Sequence, residues 1–383
     1  MSGRIASRPR VAIVAGTLAQ GGAEKQLVYM VRVLLESGAD VRVYSLTRDE
    51  LHEEALRAMG AAPVWVGRYG NPVARTCALA AALRDFRPHI LQSAHFYTNL
   101  YVALVAPLYG AVGIGTVRSD VEHEMRTNGR WGRWLLRAPS ALILNSEAAR
   151  RNALALGIAP GKLHVLPNAI DLDAFDRRAL GGHAPELDGA SPIAIGVGSF
   201  VPAKRFDRFL RAIAHARSSG SDVRGVLVGD GPERGALEAL AGELGLLPDA
   251  VWFAGRRNDV PALLSRAHIY ALTSGHEGFP NVLLEAMAAR LPVVAMPAGD
   301  ADVIVQDGVT GCIIPSDDER ALAMRLVELA GAPELRARLG AAGRARVEAN
   351  YGCGVMRGRL VAIHRAIAER LRNRRSLAAL ANS

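Results

Sequence analysis

Short apolar, β-branched runs alternate with amphipathic helical runs along almost the whole chain, and this alternation constrains the fold more than any other feature. "RVAIVAG" (residues 10–16) is the first such run; a Gly-bearing loop and an amphipathic helix, "TLAQGGAEKQLVYMVRVLLESG", lead to the next, "ADVRVYSL". Further strands are predicted at residues 89–92, 113–118, 141–145 and 164–167, with helical runs between them. Strand and helix in alternation join parallel strands and cover a sheet on both faces. A polar Gly/Pro break, "DRRALGGHAPELDGAS" (residues 176–191), then opens a second series, with strands predicted at 193–198, 224–228, 251–253, 269–272, 293–295 and 311–314. The predicted class is α/β, with two doubly wound, Rossmann-like domains at residues 1–178 and 190–364. A basic helix, 365–383, is expected to pack back on the first domain. Two such domains are expected to hold a ligand in the cleft at the carboxyl ends of their strands.

The 383 residues are half hydrophobic, enough for two packed cores. No repeat or low-complexity tract interrupts them. Cys77, Cys312 and Cys353 are odd in number and far apart, which argues against a disulfide framework and for a reducing compartment; no CxxC or Cys/His cluster suggests zinc. The apolar stretch after the basic "MSGRIASRPR" is too short for a secretory leader and reads as a strand. Residues 99–117 carry no charge but contain Pro107, Gly110, Gly113 and Gly115, and read as a buried helix followed by a strand. The net charge is +9, and the first 175 residues hold 20 Lys/Arg against 14 Asp/Glu. A basic first half suits nucleic acid, anionic lipid or a phosphorylated substrate, and charge alone does not choose.

"HEGFPNVLLEAMA" (residues 276–288) places Glu277 and Glu285 on either side of a Gly-Phe-Pro-Asn break. Gly278 and Pro280 stop a helix from spanning both, so the helix is predicted to begin at Pro280 or Asn281. Glu277 then lies in the loop after a strand, and Glu285 about one turn inside the helix. A helix N-terminus offers free N–H groups and positive dipole to a phosphate or diphosphate. Carboxylates beside it fit a ligand whose two ends are polyols: a nucleotide sugar, with one glutamate on the sugar and one on the ribose. The plain alternative is a capped helix with Glu277 solvated.

The chain resembles the retaining GT-B glycosyltransferases of family 4. "EGFPNVLLE" is similar to their donor-binding element. "QGGAEKQL", "HILQSAHFYTNL", "NSEAARRNALALG", "VLPNAIDLDAF", "VGSFVPAKRFDRFLRAIA", "LVGDGPERGALE", "FAGRRNDVPALLSRAHIYALTS" and "DGVTGCIIP" carry the resemblance in order along nearly the whole chain. It implies the GT-B fold, two domains facing across a cleft, and transfer of a sugar from a nucleotide-sugar (UDP- or GDP-sugar) to a glycan or lipid-linked acceptor with retention. It implies that Gly21 and Gly22 approach the donor phosphates or the acceptor, that His95 contacts the transferred sugar, and that Lys204 binds the diphosphate. Glu277 would bind sugar hydroxyls with the backbone of Gly278 and Phe279, and Glu285 the ribose. Pro280 and Asn281 open the helix, and Val282 and Leu283 offer N–H groups to the diphosphate. The base would lie near Gly255 and Arg256. The catalytic set is thus His95, Lys204 and Glu277. Where many relatives have a second cation, this chain has Ser199, with Arg205 as partial compensation; the second phosphate contact is therefore open.

Two D-x-D triplets, at residues 171–173 and 300–302, raise the question of a metal. In this family the helix N-terminus and cations take that role, so no metal or cofactor is expected. "MRTNGRWGRWLLR" (residues 125–137) spaces Arg126, Arg130, Arg133 and Arg137 helically among tryptophans, which suits an anionic membrane surface; Gly129 and Gly132 weaken that helix. Arg118, Arg126 and Arg130 are the acceptor-side candidates. The expected setting is the cytoplasm, at the inner face of a bacterial plasma membrane, in cell-surface polysaccharide synthesis. Two alternatives remain: a sugar-nucleotide epimerase or hydrolase on the same fold, and a non-catalytic basic protein binding membrane or nucleic acid. No aromatic-basic RNA signature or recognition-helix pattern supports nucleic acid.

Overall fold

The structure, a computed structural model, describes residues 8–182, 184, 187, 189 and 191–381. The basic residues 1–7 and five positions of the 176–191 break lie outside the described residues. Two compact units divide the chain. The first comprises the residues up to Ala169 and those from Cys353 onward; the second is Ile170–Gly352. The changeovers fall at 169/170 and 352/353, where the sequence reading set 178 and 365. The reason is packing: the helix Leu172–Gly181 sits on the helix Val260–Arg266, with Phe175 in the same cluster as Leu263 and Leu264. The last helix, Cys353–Ala381, begins twelve residues earlier than expected.

The first unit carries seven strands: β1 (Arg10–Ala15), β2 (Asp40–Ser45), β3 (Val64–Trp65), β4 (Ile90–Ser93), β5 (Val112–Val117), β6 (Ala141–Leu144) and β7 (Leu163–Val165). Their order is β3-β2-β1-β4-β5-β6-β7, all parallel. Alternation along β1 divides the core: Val11, Ile13 and Ala15 face one cluster, Ala12 and Val14 the other. Leu27, Met30 and Leu34 of the helix Gly22–Glu36 fill the first cluster with Met356, Leu360 and Ile367 of the last helix. The uncharged stretch from Asn99 forms the helix Asn99–Val105, a 3-10 turn, and then β5. Among the described residues, no helix is long and apolar enough to cross a membrane.

The second unit has β8 (Ile193–Val197), β9 (Arg224–Val228), β10 (Val251–Gly255), β11 (Ile269–Leu272), β12 (Val293–Ala295) and β13 (Gly311–Ile313), ordered β10-β9-β8-β11-β12-β13 and parallel. Ile193 and Ile195 face Leu283, Leu284 and Met287, while Ala194 faces Phe206, Phe209 and Ile213. Strand order reverses between β1 and β4 in one unit and between β8 and β11 in the other. In open α/β sheets ligands gather at the carboxyl ends of the strands beside such a reversal.

Candidate active site

In the second unit the reversal is occupied by the loops after β8 and β11. Lys204 closes a 3-10 turn, Pro202–Lys204, and its Nζ donates to Glu277 Oε1 at 2.5 Å. Ser274 Oγ donates to the same oxygen at 2.8 Å. Two bonds fasten the loops: Gly275 N–H donates to Ala203 O, and the Thr273 side-chain hydroxyl donates to Lys204 O. The Lys204 side chain is 23% exposed and that of Glu277 12%. A pair so sheltered is screened less than a surface ion pair and holds both charges at the sheet edge.

The helix that follows is Asn281–Ala288, with Pro280 as its cap residue and no side chain capping it. This start agrees with the sequence reading, although Pro280 rather than Asn281 takes the cap position. Phe279 is buried against Tyr351, so its backbone rather than its ring is what the loop presents. Glu285 sits one turn in and is half-buried. The buried phenol of Tyr270, on β11, brings the two glutamates into one neighbourhood. Burial drives its pKa up, and the charges of both Glu277 and Glu285 drive it further. Gly299 holds this loop from the far side. Its φ is +61°, and a Cβ there would meet Gly278 O at 2.6 Å and Glu277 O at 2.7 Å.

Other donor-side candidates are disposed differently. Arg205 has φ +48° and folds onto Asp207 as a two-pronged pair, with both bonds at 2.9 Å. Ser199 is exposed. Gly255 ends β10 with φ +68°, and the exposed Arg256 lies 3.9 Å from Asp230. The Asp171 carboxylate caps the helix Leu172–Gly181 by accepting from Ala174 N–H, and Asp300 is buried at a helix cap, so both D-x-D triplets begin with helix starts. Among the described residues no group of three His, Cys, Asp or Glu could hold a metal ion.

In the first unit the reversal holds Gly16, after β1, and His95, after β4. His95 Nδ1 accepts from the Gly16 N–H at 3.0 Å, which leaves Nε2 to carry the proton and donate to Glu24 Oε1 at 3.0 Å. Both ring nitrogens are therefore engaged within the protein. Glu24 was not among the residues singled out from the sequence. Burial pushes its carboxyl up, but the His95 hydrogen bond, its own backbone N–H and the nearby histidines outweigh that and hold it below the ordinary value. Gly21 caps the helix with ordinary extended backbone; a Cβ there would meet Glu24 Oε2, so its bare Cα makes room for this carboxylate. Gly22 is the first helical residue.

Tyr97 stacks on His95 at 5.8 Å, and its hydroxyl lies over Gly16. Burial pushes this phenol up to about 12, with the charges of Glu24 and Glu50 adding to it. Glu50 accepts from Thr17, Thr47 and the Leu18 N–H. Asn99 is buried structure: it accepts from Ser93 Oγ and the Thr116 N–H and donates to the carbonyls of Thr116 and Leu135. The arginine-tryptophan stretch is two helices, Val121–Thr127 and Gly129–Arg137, broken where Gly129 takes φ +52°. That break places Arg126 and Arg130 on separate helices. Both are exposed, as are Trp131 and Trp134.

Residues 183–346 match the family model for glycosyl transferases group 1, and residues 20–174 match that for glycosyltransferase family 4. The chain belongs to glycosyltransferase family 4. It is 28% identical to the putative glycosyltransferase EpsF of Bacillus subtilis (strain 168), over 75% of this chain and 79% of that one. It is 32% identical to a GDP-mannose-dependent alpha-(1-6)-phosphatidylinositol monomannoside mannosyltransferase of Mycolicibacterium smegmatis, over 51% of this chain and 53% of the relative. The chain spans about half the length of most of the curated relatives it matches. Anabaena Alr3699/HepE, solved in complex with UDP and glucose, superposes with a TM-score of 0.81 at 19% identity, covering 94% of this chain and 100% of that one. The fold is GT-B.

Proposed function

We propose that this family 4 chain transfers a sugar, with retention, from a UDP- or GDP-sugar to a glycan or lipid-linked acceptor in bacterial cell-surface polysaccharide synthesis. The observation that carries the donor assignment is the second unit's reversal point. A lysine, two glutamates around one buried tyrosine and an uncapped helix N-terminus share one strand edge there. Without donor, Lys204 neutralises Glu277; with donor, the lysine charge serves the diphosphate and hydroxyls of the sugar and ribose occupy the two carboxylates. In the proposed complex Lys204 turns from Glu277 to the diphosphate, Glu277 takes sugar hydroxyls, and Glu285 takes the ribose. The Val282 N–H at the helix start meets the phosphates, whereas the Leu283 N–H, expected to do the same, already donates to Pro280 O at 3.0 Å.

The acceptor hydroxyl forms the new bond to the anomeric carbon as the bond to the diphosphate oxygen breaks, and the hydroxyl proton passes to the departing phosphate on the same face. Lys204 and the helix N-terminus meet the leaving charge. This scheme needs no metal, so turnover should survive EDTA. The exposed Trp131 and Trp134, with Arg126 and Arg130, are assigned to an anionic bilayer surface. His95, with both nitrogens engaged, is assigned to positioning Glu24 rather than to direct contact with the sugar.

The test is thermal stabilisation by UDP-, GDP-, ADP- and dTDP-sugars, with Lys204→Ala and Glu285→Ala beside the wild type. A ligand at ~100 times its Kd adds ~2.7 kcal/mol. A shift with one nucleotide series, lost in both variants, is expected. No shift with any series would overturn the donor assignment.

A further inference from the structure

Arg118 follows β5 directly, at the strand edge that also carries Gly16 and His95. Its guanidinium donates to Asn168 Oδ1 at 3.1 Å and touches Met30 Sδ at 3.0 Å. These neutral partners take two of the five N–H donors that a guanidinium offers. Among the described residues no carboxylate lies within ion-pair distance of it. Other sheltered arginines of the chain differ: Arg344 holds Asp176 and Glu348, and Arg257 holds Asp259. Burial alone pulls Arg118 down to about 10, with no charged group acting on it. A second group at this edge is also incomplete. Asn145, after β6, is buried and donates through Nδ2 to Arg118 O, while its Oδ1 has no partner among the described residues.

A half-buried cation with unused donors and no charged partner is poorly compensated on its own and gains when an anion supplies the missing charge. The planar fork suits a phosphate, and the Asn145 amide oxygen, on the side chain that holds the Arg118 main-chain carbonyl, can accept from a hydroxyl. We propose that Arg118, set by Asn168 and Met30, binds a phosphate ester or diphosphate carried by the acceptor, with Asn145 available to an acceptor hydroxyl. The assignment to the acceptor rests on the glycosyltransferase reading; the anion site itself does not.

The experiment is thermal melting of the full chain with inorganic pyrophosphate at constant ionic strength, using wild type, Lys204→Ala, Arg118→Gln and the double variant. The expected result is a saturable upward shift that survives in Lys204→Ala and disappears in the double variant. Arg118→Gln alone should melt no lower than wild type without ligand, because it removes an uncompensated charge. Arg118→Lys should keep the response at roughly tenfold higher pyrophosphate. Farnesyl phosphate and glucose 6-phosphate, tested on Lys204→Ala, distinguish a lipid phosphate from a sugar phosphate as the source. Loss of the whole pyrophosphate response in Lys204→Ala, or an equal shift with matched sodium chloride, would overturn the site. If Arg118→Gln weakens nucleotide-sugar binding as strongly as Lys204→Ala does, the anion is the donor's and the acceptor assignment fails. Nucleotide-sugar binding that is absent in wild type while the Arg118-dependent shift persists would instead sink the transferase reading and leave the anion site standing.

Discussion

His364 lies on the last helix, buried in the first unit, and its Nε2 pairs with Gln92 Oε1 at 2.7 Å. Gln92 Nε2 in turn rests on Met30 Sδ, the sulfur that Arg118 touches. Burial pulls the imidazole down to about 4, from an ordinary 6.5. The adjoining pocket is lined by His89 and Arg365, which bring no negative charge to hold an imidazolium. Between pH 6.5 and 4 the unfolded chain therefore binds a proton that the folded chain refuses. Stability is at its full value above 6.5 and falls as the pH drops through that window. A difference of that size is worth ~3 kcal/mol in all, of which ~2 kcal/mol is lost by pH 5. His364→Gln keeps a hydrogen-bonding side chain at the site and removes the titration. Urea unfolding, followed by circular dichroism at pH 7.5 and 5, should show the wild type losing ~2 kcal/mol more than the variant between the two conditions. His52, His89, His164 and His268 are also pulled down by burial, so both proteins should lose some stability. Equal losses in wild type and His364→Gln would refute the reasoning.

Three further predictions concern the strand edges. Lys204→Met leaves Glu277 with Ser274 alone; donor affinity should fall ~10- to 100-fold, the loss of one charge-assisted hydrogen bond, as read by calorimetric titration. Gly299→Ala puts a Cβ against the Glu277 and Gly278 carbonyls at a left-handed φ, so melting should report ~2 kcal/mol or more of destabilisation together with weakened donor binding; an unchanged variant would disprove the close approach. Glu24→Ala strands the half-buried His95 N–H and should cost ~1–2 kcal/mol in denaturant unfolding, while Glu24→Gln, which can still accept, should cost clearly less.

The parallel sheets were legible because their buried strands are short β-branched runs with helical periods between them; β9, β11 and β12 fall on the predicted residues. The strand β3 was not legible: Val64 and Trp65 form an exposed two-residue edge with no pattern to read. The glutamate pair and its helix start followed from Gly278 and Pro280, whose backbone limits are local. The Lys204–Glu277 contact spans 73 residues, and nothing in the spacing announces it. Glu24 was missed for the same reason: its partner, His95, is 71 residues away. Helical spacing of the arginines at 126–137 left open whether one helix or a loop and short helix forms there; Gly129, one of the two glycines that weaken it, takes a left-handed conformation that ends the first helix and starts the second.

The most direct measurement of the central claim is hydrogen–deuterium exchange with and without the stabilising nucleotide sugar. The account predicts protection in peptides covering residues 198–205 and 274–285, and its loss in Glu285→Ala. Protection confined to other segments, with those two unchanged, would contradict it.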